Sequence, residues 1–345
     1  RENPSLKMQP FAWAPLFAVL CHSAAAFDIN AHRITDLMAA AYTPMKSGGM
    51  QLDVDIIPAY AKYLARRNIT NVMPAGSNGE SLSLSVAERK ALAEAWAAAA
   101  PAQGLRVYMH IGSESLVDSM ELAKHAAGIG ISGIVAMTPV YFKPTLEGLH
   151  DYLAAVAGAA PALPLWFYHF PDGTGVLPGQ AHKLLELVDK SGRIPNFAGI
   201  KYTDYNLMDF QICTKVGHAG KYNMLYGRDE QAFAAMEIGA EAAVSSTCQF
   251  APSLRNVVSL HAKGDFRGAK AAQETNAELC TIFGDFDGDL NVQKNIMKMV
   301  GMDVGPSRLP KRDLSAAAYA ALQARLHSSG LIDQPLEAVV GPTNV

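Results

Sequence analysis

Phe197-Ala198-Gly199-Ile200-Lys201-Tyr202-Thr203 is an apolar run that closes on an amine. Helical patterns flank it at 179–189 and 207–216, so the run reads as a short strand buried between helices. A lysine at the end of a buried strand loses hydration in its charged form, and its pKa is expected to fall toward neutrality. A partly deprotonated amine attacks a ketone and forms a Schiff base. A strand-end lysine also has a plainer use, with its stem on apolar surface and its ammonium in water. The rest of the chain decides between the two.

Outward from this strand the same alternation repeats. Strand patterns fall at 36–42, 71–75, 107–111, 133–137, 165–170, 197–202, 224–226 and 242–245. Amphipathic patterns follow at 54–67, 85–99, 116–128, 146–159, 179–189, 207–216, 230–238 and 252–263. Eight strand–helix units in a row predict an α/β fold, a closed (β/α)8 TIM barrel, rather than an open sheet. An open doubly wound sheet would carry a glycine-rich phosphate turn after its first strand, and Thr43-Pro44-Met45 is not one. Beyond 263 the pattern is helical only, at 266–283, 291–299 and 314–327. The expected organisation is an N-terminal extension (1–33), the barrel (34–263), C-terminal helices packed on it (264–330) and a tail (331–345).

The chain has 345 residues, half of them apolar and 18% charged, with a formal net charge of -3, which suits a soluble globular protein with a sizeable core. That balance gives no basic surface for nucleic acid. Cys21, Cys213, Cys248 and Cys280 show neither CxxC spacing nor a disulfide framework. The apolar stretch 11–26 is too short, and too interrupted by Pro15 and His22, for a membrane span. Ending in Ala24-Ala25-Ala26 and starting after Met8, segment 8–26 reads as a cleavable targeting signal with a secretory or organellar destination. A packed or disordered extension on a cytoplasmic protein is the alternative. Asp285-Phe286-Asp287-Gly288-Asp289 resembles part of a calcium loop, but the glycine offset is wrong and the twelfth-position glutamate is missing, so it reads as a polar interhelical loop. His110, His125 and His182 are too scattered to suggest a metal cluster.

Barrel enzymes carry their chemistry at the C-terminal ends of the strands. Those ends hold Gly76-Ser77-Asn78-Gly79-Glu80, Tyr168-His169-Phe170-Pro171, Lys201-Tyr202-Thr203, Gly227-Arg228-Asp229-Glu230 and Ser245-Ser246-Thr247. Beside an iminium, the phenol of Tyr168 is suited to shuttle the proton that carbon–carbon cleavage requires; otherwise it is a core aromatic with a satisfied hydroxyl. The amides of the 76–80 turn and the dipole of the following helix suit a carboxylate, although glycines also serve an ordinary strand–helix turn. Asp229 and Glu230 suit sugar hydroxyls, or equally helix capping.

In combination these motifs are specific: GSNGESLSLSVAERK at 76–90, FYHFPDGTGV at 167–176, GIKYTDYNLMDF at 199–210, LYGRDEQ at 225–231 and AVSST at 243–247. From about Ile34 to Leu314 the chain resembles the class I aldolase family that holds N-acetylneuraminate lyase and dihydrodipicolinate synthase. The resemblance implies that Lys201 forms the Schiff base and that Tyr168 is the acid/base group. It implies that Ser77 and Asn78 hold the pyruvate carboxylate, and that Thr203, Gly227, Asp229, Glu230 and Ser246 contact the sugar's hydroxyl-bearing chain. Tyr141 matches an aromatic near the site in many relatives. The resemblance further implies a homotetramer, small-molecule partners (a sugar acid and pyruvate), and no metal or organic cofactor.

Two positions refine the expectation. The family turn usually reads Gly-Ser/Thr-Thr-Gly-Glu, and Asn78 replaces its second threonine. The synthase branch carries an arginine two residues after the proline of the strand-five motif, where this chain has Gly173. Without that guanidinium a substrate with a second carboxylate loses its bidentate anchor. The reading is therefore reversible cleavage of N-acetylneuraminate to N-acetylmannosamine and pyruvate. The alternatives are another pyruvate-dependent aldolase, such as dihydrodipicolinate synthase or a 2-keto-3-deoxy sugar acid aldolase, and a catalytically silent barrel that binds sugar acids.

Overall fold

Short strands buried on both faces close without an open edge when each pairs with two neighbours. The computed structural model of the chain describes residues 27–286 and 290–336 and has this closed form. Its strands are β1 (Asp36–Ala39), β2 (Asn71–Val72), β3 (Arg106–His110), β4 (Gly133–Met137), β5 (Leu165–His169), β6 (Phe197–Tyr202), β7 (Asn223–Tyr226) and β8 (Ala242–Ser245). All run parallel in sequence order, and β8 pairs with β1. The helices are α1 (Ile57–Arg66), α2 (Val86–Ala99), α3 (Leu116–Gly128), α4 (Leu146–Ala159), α5 (Pro171–Thr174), α6 (Ala181–Ser191), α7 (Leu207–Cys213), α8 (Ala232–Glu237), α9 (Pro252–Ala262), α10 (Phe266–Gly284), α11 (Leu290–Met299) and α12 (Ala316–Ser329). Segment 8–26, Cys21, loop residues 287–289 and tail residues 337–345 lie outside the described residues. Among the described residues, no helix is long and apolar enough to cross a membrane.

Several helices start where a side chain accepts from their first turn: Ser85 from Glu88 N, Ser115 from Asp118 N, Thr145 from Gly148 N, Asn206 from Asp209 N and Ser315 from Ala318 N. The last of these puts the start of α12 at Ala316 rather than 314. The strand patterns at 36–42 and 71–75 stop short, at Ala39 and Val72. Pro74 has no donor for the ladder, and Ala75 turns to a φ of 52°, which ends β2 early. The helix expected over 230–238 opens as a 3-10 turn at Asp229–Gln231 before α8 begins.

Inside the barrel every strand or its end contributes to one cluster: Met38, Met73, Tyr108, Val135, Met137, Trp166, Tyr168, Ala198, Leu225, Ala242 and Val244 among others. Asn223 closes its lower end. Its carboxamide exchanges hydrogen bonds with the backbone of Ile34 (3.0 and 3.0 Å), and its oxygen accepts from Trp166 Nε1 at 3.2 Å. A second, larger cluster lies between the strands and the helices and includes Leu165, Phe167, Phe197, Ile200 and Tyr202.

These two clusters reveal a break of phase in β6. Successive strand residues point to opposite faces, so residues three apart point opposite ways. Yet Ala198 joins the inner cluster, and Lys201, three residues on, also lines the barrel mouth. The register accounts for it: Leu165 pairs with Phe197, but Trp166 pairs with Gly199, so Ala198 is an extra residue. This bulge restores the inward phase for Lys201, which then lies opposite Tyr168. Gly199 belongs to the same device, since a Cβ there would sit 1.9 Å from Asn223 O on β7.

The C-terminal helices reach the mouth through α11. Lys294 Nζ donates to Thr43 O (2.9 Å), Pro306 O (2.7 Å) and Glu80 Oε1 (3.0 Å), and Glu80 Oε2 accepts from Arg308 N at 2.7 Å. Both charged side chains are almost fully buried. Burial lowers the Lys294 pKa from its ordinary value, and Glu80 opposes that shift. The pair holds Glu80 at a left-handed φ of 56°, at the end of the turn that carries Ser77 and Asn78. Removing one partner strands the other without its counter-charge. Lys294→Met is expected to destabilise the fold by about 3 kcal/mol, read from the urea midpoint. The double change Glu80→Leu/Lys294→Met is expected to cost less than the single one.

Candidate active site

Lys201 is only 4% exposed, and its Nζ lies 3.6 Å from the centroid of the Tyr168 ring. Burial lowers its pKa from the ordinary lysine value. Tyr168 and Asp229 pull it back up, and the Arg228 charge pushes it further down. Tyr168 is also buried; its hydroxyl stands 3.2 Å from Ser77 Oγ, and Phe170 stacks on its ring at 5.7 Å. Amine, phenol and serine hydroxyl thus meet in succession on the lining of one cavity of about 830 Å³. Among the described residues, no group of three or more His, Cys, Asp or Glu is placed to hold a metal ion.

Most sequence-predicted residues line this cavity: Ser77, Asn78, Tyr168, Lys201, Thr203, Gly227, Asp229, Glu230 and Ser246. The buried Thr203 hydroxyl has no hydrogen-bond partner among the described residues. Gly227 is required beside it, because a Cβ would come within 2.1 Å of Thr203 Oγ1. Asp229 does not cap a helix. Its Oδ2 accepts from Ser245 Oγ (2.8 Å), Ser246 Oγ (3.4 Å), Thr247 N (2.8 Å) and Thr247 Oγ1 (2.7 Å). Burial raises its carboxyl above the ordinary value, and the Thr247 and Ser245 donors offset part of that. Glu230 Oε1 accepts from Tyr205 OH at 2.6 Å.

Two expectations need correction. The turn at 76–80 is not backed by a helix dipole. It leads into a 3-10 turn at Ser81–Ser83, and α2 starts only at Val86, its N-terminus already capped by Ser85 and Glu88. The groups available to an anion are the turn's own, shaped by Gly79, where a Cβ would meet Ala75 N at 2.6 Å. Tyr141 does not line the cavity. Glu114 accepts from the backbone N–H of Val140, Tyr141 and Phe142, and the Tyr141 ring is left 80% exposed against that of Phe142.

Sequence reasoning left Arg228, Gln293 and Tyr42 without roles. Arg228 lines the cavity, ion-pairs with Asp172, donates to Tyr205 OH at 3.2 Å and lies 4.0 Å over the Tyr205 ring. It stands inside the motif at 225–231, so its signal was present. Gln293 also lines the cavity; its Oε1 accepts from Tyr42 OH at 2.7 Å and from Asn78 Nδ2 at 3.2 Å. No local pattern signals a contact across 215 residues. His110 lies buried, edge-on to the Tyr168 ring at 6.0 Å, and its Nε2 accepts from Met137 N.

The family model described as "Dihydrodipicolinate synthetase family" matches residues 33–329. The chain belongs to this family. It is accordingly a pyruvate-dependent, Schiff-base aldolase of class I, a carbon–carbon lyase in type. Among curated relatives it is similar to N-acetylneuraminate lyase A of Xenopus laevis, 39% identical over 282 residues, covering 81% of this chain and 90% of the relative. It is also similar to N-acetylneuraminate lyase of Danio rerio, 34% identical over 300 residues, 86% of this chain and 96% of the relative. Among solved structures, N-acetylneuraminate lyase of Proteus mirabilis superposes with a TM-score of 0.81 at 30% identity, covering 87% of this chain and 99% of that one.

For a Schiff-base aldolase the electrostatics of the amine are directly measurable. Removing the Arg228 charge takes away one of the influences that lower the Lys201 pKa. In Arg228→Met, the pH at which borohydride traps half-maximal pyruvate adduct should move upward. A shift downward would contradict the assigned sign.

Proposed function

We propose that the chain is an N-acetylneuraminate lyase, splitting the open-chain sugar acid reversibly into N-acetylmannosamine and pyruvate. The observation that carries this reading is the buried Lys201 amine against the face of Tyr168, whose hydroxyl meets Ser77. Neutral Lys201 attacks C2 of the sugar acid, and loss of water from the carbinolamine gives a protonated imine, with Tyr168 relaying the proton. Tyr168 then accepts the proton of the C4 hydroxyl as the C3–C4 bond breaks. The electron pair of that bond passes into the imine, which becomes an enamine, and the aldehyde leaves. Reprotonation at C3 and hydrolysis release pyruvate and the free amine. The imine itself takes up the electrons, so this sequence calls on no organic cofactor.

In this reading Ser77 and Asn78 hold the carboxylate, while Thr203, Gly227, Asp229, Glu230 and Ser246 meet the hydroxyl-bearing chain. Acceptors such as Asp229 and Glu230 suit a polyhydroxylated aldehyde. The synthase alternative is weaker, because Gly173 supplies no guanidinium and Arg228 is already engaged with Asp172 and Tyr205. The similarity to the lyases of Xenopus laevis, Danio rerio and Proteus mirabilis supports the same choice. Pyruvate release from N-acetylneuraminate is the direct assay. Lys201→Ala should abolish release and borohydride trapping together; an adduct that persisted in this variant would remove Lys201 from its role. Tyr168→Phe should lower kcat by roughly 10²- to 10⁴-fold.

We also infer a homotetramer. The exposed, mutually packed rings of Tyr141 (80%) and Phe142 (77%) supply an apolar patch that another copy can cover. Light scattering should return four times the mass of the chain, and a single-chain mass would refute the assembly.

A further inference from the structure

We propose that Gln293, on α11, is a positioning residue for the carboxylate end of the keto acid. Its side-chain oxygen takes one hydrogen of Asn78 Nδ2 and so turns the other toward the cavity. This rests on the Schiff-base reading of Lys201, because only a keto acid joined there presents its carboxylate to the turn at Ser77 and Asn78.

A threonine at position 78 would carry its hydroxyl on a β-branched side chain with few χ1 states. Asparagine adds a second torsion with broad preferences, so its amide can present either a donor or an acceptor. A carboxylate needs the donor; the carbonyl end would repel it. Something must therefore select the end that faces the cavity. Gln293 Oε1 stands 3.2 Å from Asn78 Nδ2 and does this. Gln293 is itself fixed, because Tyr42 OH donates to the same oxygen at 2.7 Å. Tyr42 is fully buried and Gln293 is 5% exposed, so the Tyr42–Gln293 bond is shielded from water and holds the amide oxygen in place at the cavity edge. The neighbouring Lys294 anchors the helix through Thr43, Pro306 and Glu80, which sets Gln293 at a constant height above the turn.

The test is borohydride trapping of the whole chain with pyruvate, read as adduct mass against pyruvate concentration, with methyl pyruvate as a probe without the carboxylate. Gln293→Met keeps the length of the side chain and removes the acceptor. Its half-saturating pyruvate should rise roughly three- to tenfold, the scale of one lost hydrogen bond. Half-saturation by methyl pyruvate should change less than about twofold, since no charge-assisted bond is at stake. In an Asn78→Thr background the same Gln293→Met change should shift pyruvate saturation little, because the hydroxyl needs no outside pin. An unshifted pyruvate curve, equal shifts for both probes, or an undiminished shift in the Asn78→Thr background would each overturn the proposal. If Gln293→Met loses its cooperative melting transition, Tyr42→Phe replaces it, with a rise for pyruvate alone expected and an unchanged curve overturning the proposal. Absence of any adduct on the unsubstituted chain would overturn this inference together with the Schiff-base reading, whereas trapping with unshifted saturation overturns this inference alone.

Discussion

The register shift between β5 and β6 determines which side of the barrel wall Lys201 occupies. Without Ala198 as an extra residue, the strand's alternation would send the amine outward, toward the helix-side cluster that holds Phe167. With it, the amine faces Tyr168 inside. Both positions are apolar enough to depress the pKa of a lysine. Only the inner one opens on a cavity through which a substrate can arrive, beside Tyr168 and Asp229. At the bulge β7 passes so close that position 199 admits no side chain. The register of the strand thus sets the direction of the reactive group, and the surrounding side chains tune its charge.

The second support of the site comes from outside the strand–helix repeat. Consecutive residues of α11 grip the same turn at two points, Gln293 at Asn78 and Lys294 at Glu80. The turn needs the hold. Ala75 and Glu80, which flank it, both have positive φ, a conformation that costs free energy in a residue with a side chain. The buried ion pair keeps Glu80 in that state. In this way the C-terminal helices act on chemistry that belongs to β2, β5 and β6.

Much of this was legible in the sequence, for identifiable reasons. The eight-fold alternation specified the barrel because buried parallel strands and amphipathic helices have different periods. Lys201 and Tyr168 stood out because an amine and a phenol end neighbouring apolar runs. Ser77, Asn78, Thr203, Gly227, Asp229, Glu230 and Ser246 could be assigned to one mouth because all lie at the C-terminal ends of strands. The bulge was hidden: Phe-Ala-Gly-Ile-Lys reads the same in either phase until its partner strand is known. Gln293 and Tyr42 were hidden because their roles exist only as contacts across the chain. Tyr141 was expected at the site, but the loop after β4 bonds to Glu114 and carries the ring out to the surface. The helix dipole behind the 76–80 turn failed for a local reason, since the Ser85–Glu88 capping box starts α2 too late to serve it.

Beneath the amine the barrel is solid. Tyr108 and Trp166 pack edge to face at 5.4 Å, and Asn223 staples Ile34 across the bottom. The floor beneath the amine is therefore packed side chain, and the cavity that Lys201 lines lies on its other side, among Arg228, Glu230 and Gln293. A fragment held in that cavity stands between the solvent and the linkage at Lys201.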